Sequence, residues 1–357
     1  MTLLLGNDEI QSVLDMRAVV EVLRTAYLEM AAGGAGPGLR SDIAAPSSLP
    51  GAIYALKVYG SVFPRGEVAA VRLTSDLISW SQHAGSKRRN KIPGAPGGRW
   101  VGLVWLFSTR TGEPLAVFPD GVVQRMRVGG TSAIGMDLLA RRDATKLAII
   151  GAGWQAGAQA MGACAVRPIT RVRVYSPTAQ HREQFCQDWE RALGVEFRPA
   201  DSVQEAVGGA DVVLCATNST QPVLEAGILE PGMHVGAIRL HEIGEDVVSR
   251  ADVVACHSIT EHVTHELIAA VDTPEVRSDR GADESRTNRL RSLPELVDLV
   301  SGRVPGRASG EQITCFINNY GLGIQFAAVG YALLEAAKAS GVGRELPTEW
   351  FTESVHP

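Results

Sequence analysis

Leu147-Ala148-Ile149-Ile150 runs straight into Gly151-Ala152-Gly153-Trp154-Gln155-Ala156, and an alanine-, glycine- and methionine-rich stretch follows. A short apolar run closing on Gly-x-Gly-x-x-Ala is the pattern of a strand that turns directly into a helix. Gly151 permits the tight turn, Gly153 lets a pyrophosphate approach the backbone, and Ala156 keeps helix and strand close. The helix that starts there offers free N–H groups and the positive end of its dipole to an anion. Gly151, Gly153, Trp154, Gln155 and Ala156 are therefore candidate contacts for a dinucleotide. The fold class this predicts is α/β, with a Rossmann-type doubly wound parallel sheet.

About twenty residues further on, a site for NAD usually places Asp or Glu on the ribose hydroxyls. Here the second strand ends Val174-Tyr175-Ser176-Pro177-Thr178, with His181 and Arg182 beyond it and no acid. Hydroxyls with a nearby base suit a 2′-phosphate better than a bare ribose. NADP(H) is thus favoured over NAD(H), with Ser176, Thr178 and Arg182 as candidate contacts. Thr217 and Asn218, just past the apolar run 211–216, complete the candidate cofactor set.

The alternation continues on both sides of the loop. Segments 146–150, 171–175, 195–198, 211–216, 234–238 and 252–256 read as short apolar strands, and 179–193 reads as a helix between two of them. This rhythm predicts a parallel sheet with helices on both faces. The first ~125 residues read differently, as a leading helix and then mostly strands. Residues 8–32 read as helical, with Asp15 placed to cap the run Met16 to Met30; a Gly/Pro/Ser-rich stretch covers 34–51, and 52–59, 68–73, 101–107 and 115–118 are strand-like. A loop with Lys87, Arg88, Arg89 and Lys91 lies between two of these strands. Residues 276–312 read as a polar surface connection, and 322–340 as an apolar helix stopped by Gly341.

A length of 357 residues favours two domains, since a single core rarely grows past ~250–300 residues. A net charge of −5 gives no nucleic-acid footprint for the chain as a whole. The five cysteines, Cys164, Cys186, Cys215, Cys256 and Cys315, form no Cys-x-x-Cys pair and read as reduced thiols of a cytoplasmic protein. No stretch reaches the ~18 apolar residues of a membrane span. His262 and His265 have a spacing that would put both on one helix face, but no further ligand is evident, so no metal is expected.

Four stretches together carry a resemblance. They are Arg40 ahead of a strand bearing Leu56-Lys57-Val58; Met126-Arg127-Val128-Gly129-Gly130-Thr131-Ser132-Ala133; the loop 148–156; and Ile313-Thr314-Cys315-Phe316 leading to Gly321-Leu322-Gly323-Ile324. In this order the chain resembles the ornithine cyclodeaminase/mu-crystallin family, which includes alanine dehydrogenases and ketimine reductases. The resemblance implies that residues 1–125 and 315–357 form a mixed α+β substrate and dimerisation domain, with a Rossmann domain, 126–314, inserted between. It implies a homodimer, and a pocket for a small amino or imino acid lined by Arg40, Lys57 and Arg127. Guanidinium groups suit that task because they grip a carboxylate at two points.

The chain also departs from the family. Where the cyclodeaminases carry a catalytic aspartate, Val235-Gly236-Ala237-Ile238-Arg239-Leu240-His241-Glu242-Ile243-Gly244 has none that aligns. His241 is the candidate substitute, and Glu242 is either a second or a structural residue. Phe326 stands where many members carry an acid, and the basic stretch 87–91 looks like an insertion. The reaction expected is hydride transfer between a nicotinamide and a carboxylated imine or α-amino acid. The alternatives are cyclodeamination with an internally recycled cofactor, and small-ligand binding in the manner of mu-crystallin.

Overall fold

The computed structural model describes residues 1–83, 86–219, 221–259, 263–267, 271 and 290–355. They fall into two compact units. One takes in the described parts of Met1–Arg127, Glu261–Asn288 and Gly321–Pro357; the other takes in those of Val128–Thr260 and Arg289–Tyr320.

In the first unit the chain runs β1 (Thr2–Leu4), α1 (Asn7–Val13), α2 (Met16–Ala31), β2 (Leu39–Pro46), β3 (Ala52–Phe63), β4 (Val68–His83), β5 (Ser86–Ile92), β6 (Val101–Ser108) and β7 (Pro114–Pro119), then enters α3 (Gly121–Leu139). The second unit holds β8 (Lys146–Ile150), α4 (Trp154–Val166), β9 (Arg171–Tyr175), α5 (Ala179–Leu193), β10 (Glu196–Pro199), α6 (Val203–Val207), β11 (Val212–Cys215), β12 (His234–Ala237), α7 (Glu245–Arg250) and β13 (Val253–Cys256). After that, β14 (Val263–Leu267) belongs to the first unit, α8 (Leu296–Val300) and β15 (Thr314–Ile317) to the second, and α9 (Gly323–Ser340) and β16 (Arg344–Leu346) to the first.

The second unit is the expected parallel sheet, in the order β10-β9-β8-β11-β12-β15-β13. Its central strands β8, β11, β12 and β15 are short and buried on both faces, as sandwiching between helices requires. From β8 the strands run outward one way through β9 and β10 and the other way from β11. The crevice beyond the ends of β8 and β11 is therefore the topological switch point where such sheets bind ligands. One strand was not legible: β15 is hydrogen-bonded between β12 and β13 and carries this unit on to Tyr320. The expected boundary at 314/315 thus moves to 320/321. Four residues without alternation give a buried parallel strand no period to read.

The first unit is built on a mixed sheet, in the order β14-β2-β3-β4-β6-β7-β1-β16, with β5 paired to β4. Three expectations change here. The helical stretch 8–32 is two helices, and the second starts where expected, with Asp15 capping it by accepting from the backbone N–H groups of Arg17 and Ala18. The Gly/Pro/Ser-rich stretch contains β2, whose small side chains carry little β-propensity; antiparallel pairing to β3 and parallel pairing to β14 hold it extended. The basic stretch 87–91 is strand β5, running back along β4 from Ser86 opposite His83 to Ile92 opposite Leu77.

β4 alternates strictly, with Val68, Ala70, Arg72, Thr74, Asp76 and Ile78 buried and Val71, Leu73, Ser75 and Leu77 only half-buried. Helix α9 packs against β3 and β4. Phe326 meets Tyr59 at 5.7 Å between ring centroids, and Tyr331 meets Phe63 at 5.9 Å. Burying one such phenylalanine is worth about 1.5–3 kcal/mol. Gly341, at φ +64°, ends the helix in the left-handed conformation.

Candidate active site

The cofactor loop leaves the end of β8 at Gly151, whose φ of +121° lies in the glycine region. A Cβ there would sit 2.3 Å from the carbonyl oxygen of Ala216, so the turn is closed against the exit of β11. Gly153 caps α4, and a Cβ on it would meet nothing within 4 Å. That bare backbone at a helix N-terminus fits a pyrophosphate, which needs N–H groups and no side chain in the way. Trp154 is exposed, Gln155 half-buried, and Ala156 fully buried against the sheet.

At the end of β9, Ser176 is half-buried and Thr178 exposed. Arg182 lies one turn into α5, where it donates to the carbonyl of Ser176 at 3.1 Å and pairs with Asp201. Beyond β11, the backbone N–H and hydroxyl of Thr217 both donate to Glu242 Oε1. Glu242 Oε2 accepts the backbone N–H groups of Ile238 and Arg239, each at 3.0 Å. Burial pushes the Glu242 carboxyl up, and the hydrogen bonds from Thr217 and Arg239 pull it back down. Four donors occupy this carboxylate, so it clamps the ends of β11 and β12 together. Asn218 is exposed, and His241 is half-buried in the turn Leu240–Glu242.

In the first unit, the covered face of the sheet carries charge where a core would carry methyl groups. Register explains the cluster: Lys57 on β3 lies opposite Asp42 of β2 and Thr74 of β4, and Tyr59 lies opposite Arg40 and Arg72. Asp42 takes Arg40 at 2.6 and 2.9 Å, and Lys57 at 3.5 Å. The guanidinium carbons of Arg40 and Arg72 lie 5.1 and 4.9 Å from the Tyr59 ring centroid. Arg72 pairs with Asp120 at 2.6 Å. Asp120 has room because the residue beside it on β6 is Gly102, where a Cβ would fall 2.1 Å from Asp120 Oδ1.

Arg127 completes the group. Its guanidinium lies 5.5 Å from the Phe326 centroid, donates to Gln325 Oε1 at 3.1 Å, and rests on Gly321, where a Cβ would fall 2.8 Å from Nη1. Its Nε is buried with no hydrogen-bond partner. Burial pulls its pKa down to about 10; Tyr59 and Tyr27 raise it, and Arg72 and Arg40 lower it further. Arg127 therefore stays cationic at neutral pH in a place that strongly favours an incoming anion. The Arg127 contacts found among the described residues include no carboxylate.

A sequence profile of the ornithine cyclodeaminase/mu-crystallin family matches residues 82–341. The chain belongs to that family. A Delta(1)-pyrroline-2-carboxylate reductase of Bacillus cereus is 26% identical over 349 residues, covering 96% of this chain and 99% of the relative. The Delta(1)-pyrroline-2-carboxylate reductase of Thermococcus litoralis, solved with NADH and L-proline, has a TM-score of 0.75 at 24% identity, over 97% of this chain and 100% of that one. An archaeal alanine dehydrogenase dimer with bound NAD has a TM-score of 0.72 at 22% identity, over 97% and 99%. At these identities the two solved structures share the fold.

Of the residues expected from the family resemblance, Arg40, Lys57 and Arg127 belong to one charged group in the first unit. His241 belongs to the second unit with the cofactor loop. Sequence reasoning passed over Arg72, Tyr59, Asp42, Asp120 and Gln325. The signal for Arg72 was present, since it has the parity of the buried Val68 and Ala70. A strand ended at Leu73 hid how far that polar row continues. Of the pair His262/His265, His265 lies on strand β14 and not on a helix, and His262 falls outside the described residues. Among the described residues no group of three or more side chains is arranged to hold a metal, and no helix is long and apolar enough to cross a membrane.

Proposed function

We propose that this chain is an NAD(P)H-dependent oxidoreductase that reduces a carboxylated imine to the α-amino acid. The observation that carries the reading is Arg127, a buried guanidinium whose hydrogen-bonded side-chain partner is the neutral amide of Gln325. Such a group is costly to bury unless an anion arrives to meet it. The substrate carboxylate is that anion, held by Arg127 with Arg72 and Arg40 around it. Lys57, a primary amine held beside Asp42, is the proton donor to the imine nitrogen. Asp42 holds that amine close to the sheet.

When bound, a reduced nicotinamide supplies the hydride. As that hydride would reach the imine carbon, Lys57 Nζ would supply the proton to the nitrogen, so that C=N would become CH–NH. Gly151, Gly153, Trp154, Gln155 and Ala156 are the residues that hold the dinucleotide, with Thr217 and Asn218 beside them. His241 is the candidate for a second proton-handling group. We assign NADPH as the preferred cofactor, with NADH accepted. No acid ends β9, and Arg182 is fixed beside Ser176.

The outer face of the first unit's sheet supports a homodimer. Leu56, Val58, Val71, Leu73, Leu103 and Trp105 all point to that face by strand parity and are only half-buried. An apolar sheet face of this kind fits a second copy of itself. The function is tested by adding NADPH or NADH and a panel of cyclic imines, or 2-oxo acids with ammonia, and following loss of reduced-nicotinamide absorbance. Continuous oxidation with a carboxylated imine is expected. Ammonia release from a diamino acid without net cofactor turnover would instead mark a cyclodeaminase.

A further inference from the structure

We propose that the second unit carries a further anion site, at the opposite edge of its sheet from the cofactor loop, and that the site takes a phosphoryl group. The proposal stands apart from the imine-reduction reading. β8 enters the sheet at Lys146 and runs into the loop at Gly151, so about 13–17 Å separates the two places at the usual strand rise. Register gathers the cations. In this parallel pair Lys146 lies beside Arg171, and Ala148 lies beside Arg173. Partners in register share a face, and so do residues two apart on a strand, so the three basic side chains leave the same side of the sheet. Helix α6 packs against β8 and β9 there. A cleft of about 90 Å³ opens beneath its end, lined by Lys146, Arg171, Arg173 and the turn Gly208-Gly209. Three cations line it and no carboxylate does.

The hydrogen bonds at this edge position the charges more than they cancel them. Arg173 Nη1 donates to the carbonyls of Glu205 at 3.0 Å and Gly208 at 3.1 Å, which are neutral acceptors. Arg171 pairs with Glu196 at 3.0 Å, but the same carboxylate also takes Arg198 at 3.0 Å, so one anion serves two guanidiniums. The Lys146 ammonium has no carboxylate partner among the described residues. Asp211 accepts the Lys146 backbone N–H and pairs with Arg141, and Glu230 accepts the Gly209 N–H at 3.4 Å from outside the lining. A Cβ on Gly209 would meet nothing within 4 Å, so the turn leaves the cleft clear. Its volume is far below the roughly 300 Å³ of pockets that enclose a drug-sized molecule. One tetrahedral oxyanion fits, and a phosphoryl group brings close to two negative charges and three acceptor oxygens to three donors.

The test titrates inorganic phosphate into the full chain by calorimetry, with and without saturating NADPH, chloride holding the ionic strength constant. Phosphate should bind in both cases, because the cofactor loop lies at the other edge. Lys146→Met and Arg171→Met should each weaken it at least about fivefold. Both side chains are exposed, so the unfolding midpoint and NADPH binding should stay as in the wild type. A parallel titration with glycerol 3-phosphate separates the two sources of the group: tighter binding than phosphate marks a phosphomonoester, weaker binding the free ion. Phosphate affinity unchanged in both variants, phosphate displaced by NADPH, or no phosphate binding at all would each overturn the site. None of these results bears on imine reduction.

Discussion

Gln325 holds Arg127 through the same oxygen that caps helix α9: its Oε1 accepts Arg127 Nη1 at 3.1 Å and the backbone N–H of Leu322 at 2.9 Å. Its Nε2 donates to the Tyr27 hydroxyl at 3.0 Å. Helix start, aromatic core and Arg127 thus meet at one fully buried amide. Because the acceptor is neutral, Arg127 is positioned without being neutralised.

Gln325→Glu should therefore raise KM for the imine by about tenfold or more, near 1.4 kcal/mol, by giving Arg127 an internal counter-ion. The expected change in kcat is small. Gln325→Ala should instead lower the unfolding midpoint, since loss of a cap and a buried acceptor costs about 1–3 kcal/mol. Steady-state kinetics and denaturant unfolding separate the two effects. An unchanged KM in Gln325→Glu would contradict the positioning role.

Lys57→Met should act on the chemical step. If Lys57 donates the proton, kcat falls by roughly 10²-fold or more, KM changes less, and the pH–rate profile changes shape. A variant that loses only KM would assign Lys57 to substrate binding alone.

Cofactor choice turns on Arg182. Arg182→Ala should weaken NADPH binding by about tenfold and leave NADH nearly unaffected. Asp201→Asn, which frees Arg182 from its exposed partner, should shift the ratio toward NADPH. Titration of both cofactors by fluorescence checks this.

Acid should weaken the second unit through His234. Burial, followed by repulsion from Arg307 and Arg167, lowers its pKa to about 3. Thr314 Oγ1 gives its proton to the Leu139 carbonyl at 2.9 Å, so His234 Nδ1 is the donor in their 3.0 Å contact. Nε2 is left buried without a partner. Above pH 6.5 neither folded nor unfolded chain protonates this ring, and the stability is full. Below it the unfolded chain takes a proton that the folded chain refuses, costing about 1.4 kcal/mol per pH unit until the folded pKa is reached. Urea unfolding at pH 7 and pH 4.5 should show a steeper loss in the wild type than in His234→Gln.

The Rossmann unit was legible because its signals are local: a glycine loop on a strand, and apolar runs spaced by helices. β15 was not, since its neighbours β12 and β13 lie far away in sequence. The charged group of the first unit was legible only in part. Arg40, Lys57 and Arg127 came from the family resemblance. Arg72 needed the full length of β4 and its register against Tyr59, and Gln325 needed the packing of α9. Arg182 was read as a base near the ribose, but its pairing with Asp201 depends on β10 and could not be read from β9 alone.

The central claim is that the buried Arg127 exists to hold a substrate carboxylate. The most direct measurement compares NADPH oxidation with a carboxylated imine that the enzyme accepts and with the methyl ester of the same imine. A loss of at least about 100-fold in kcat/KM for the ester, matching that of Arg127→Met on the acid, is predicted. An ester reduced as fast as the acid would contradict the account.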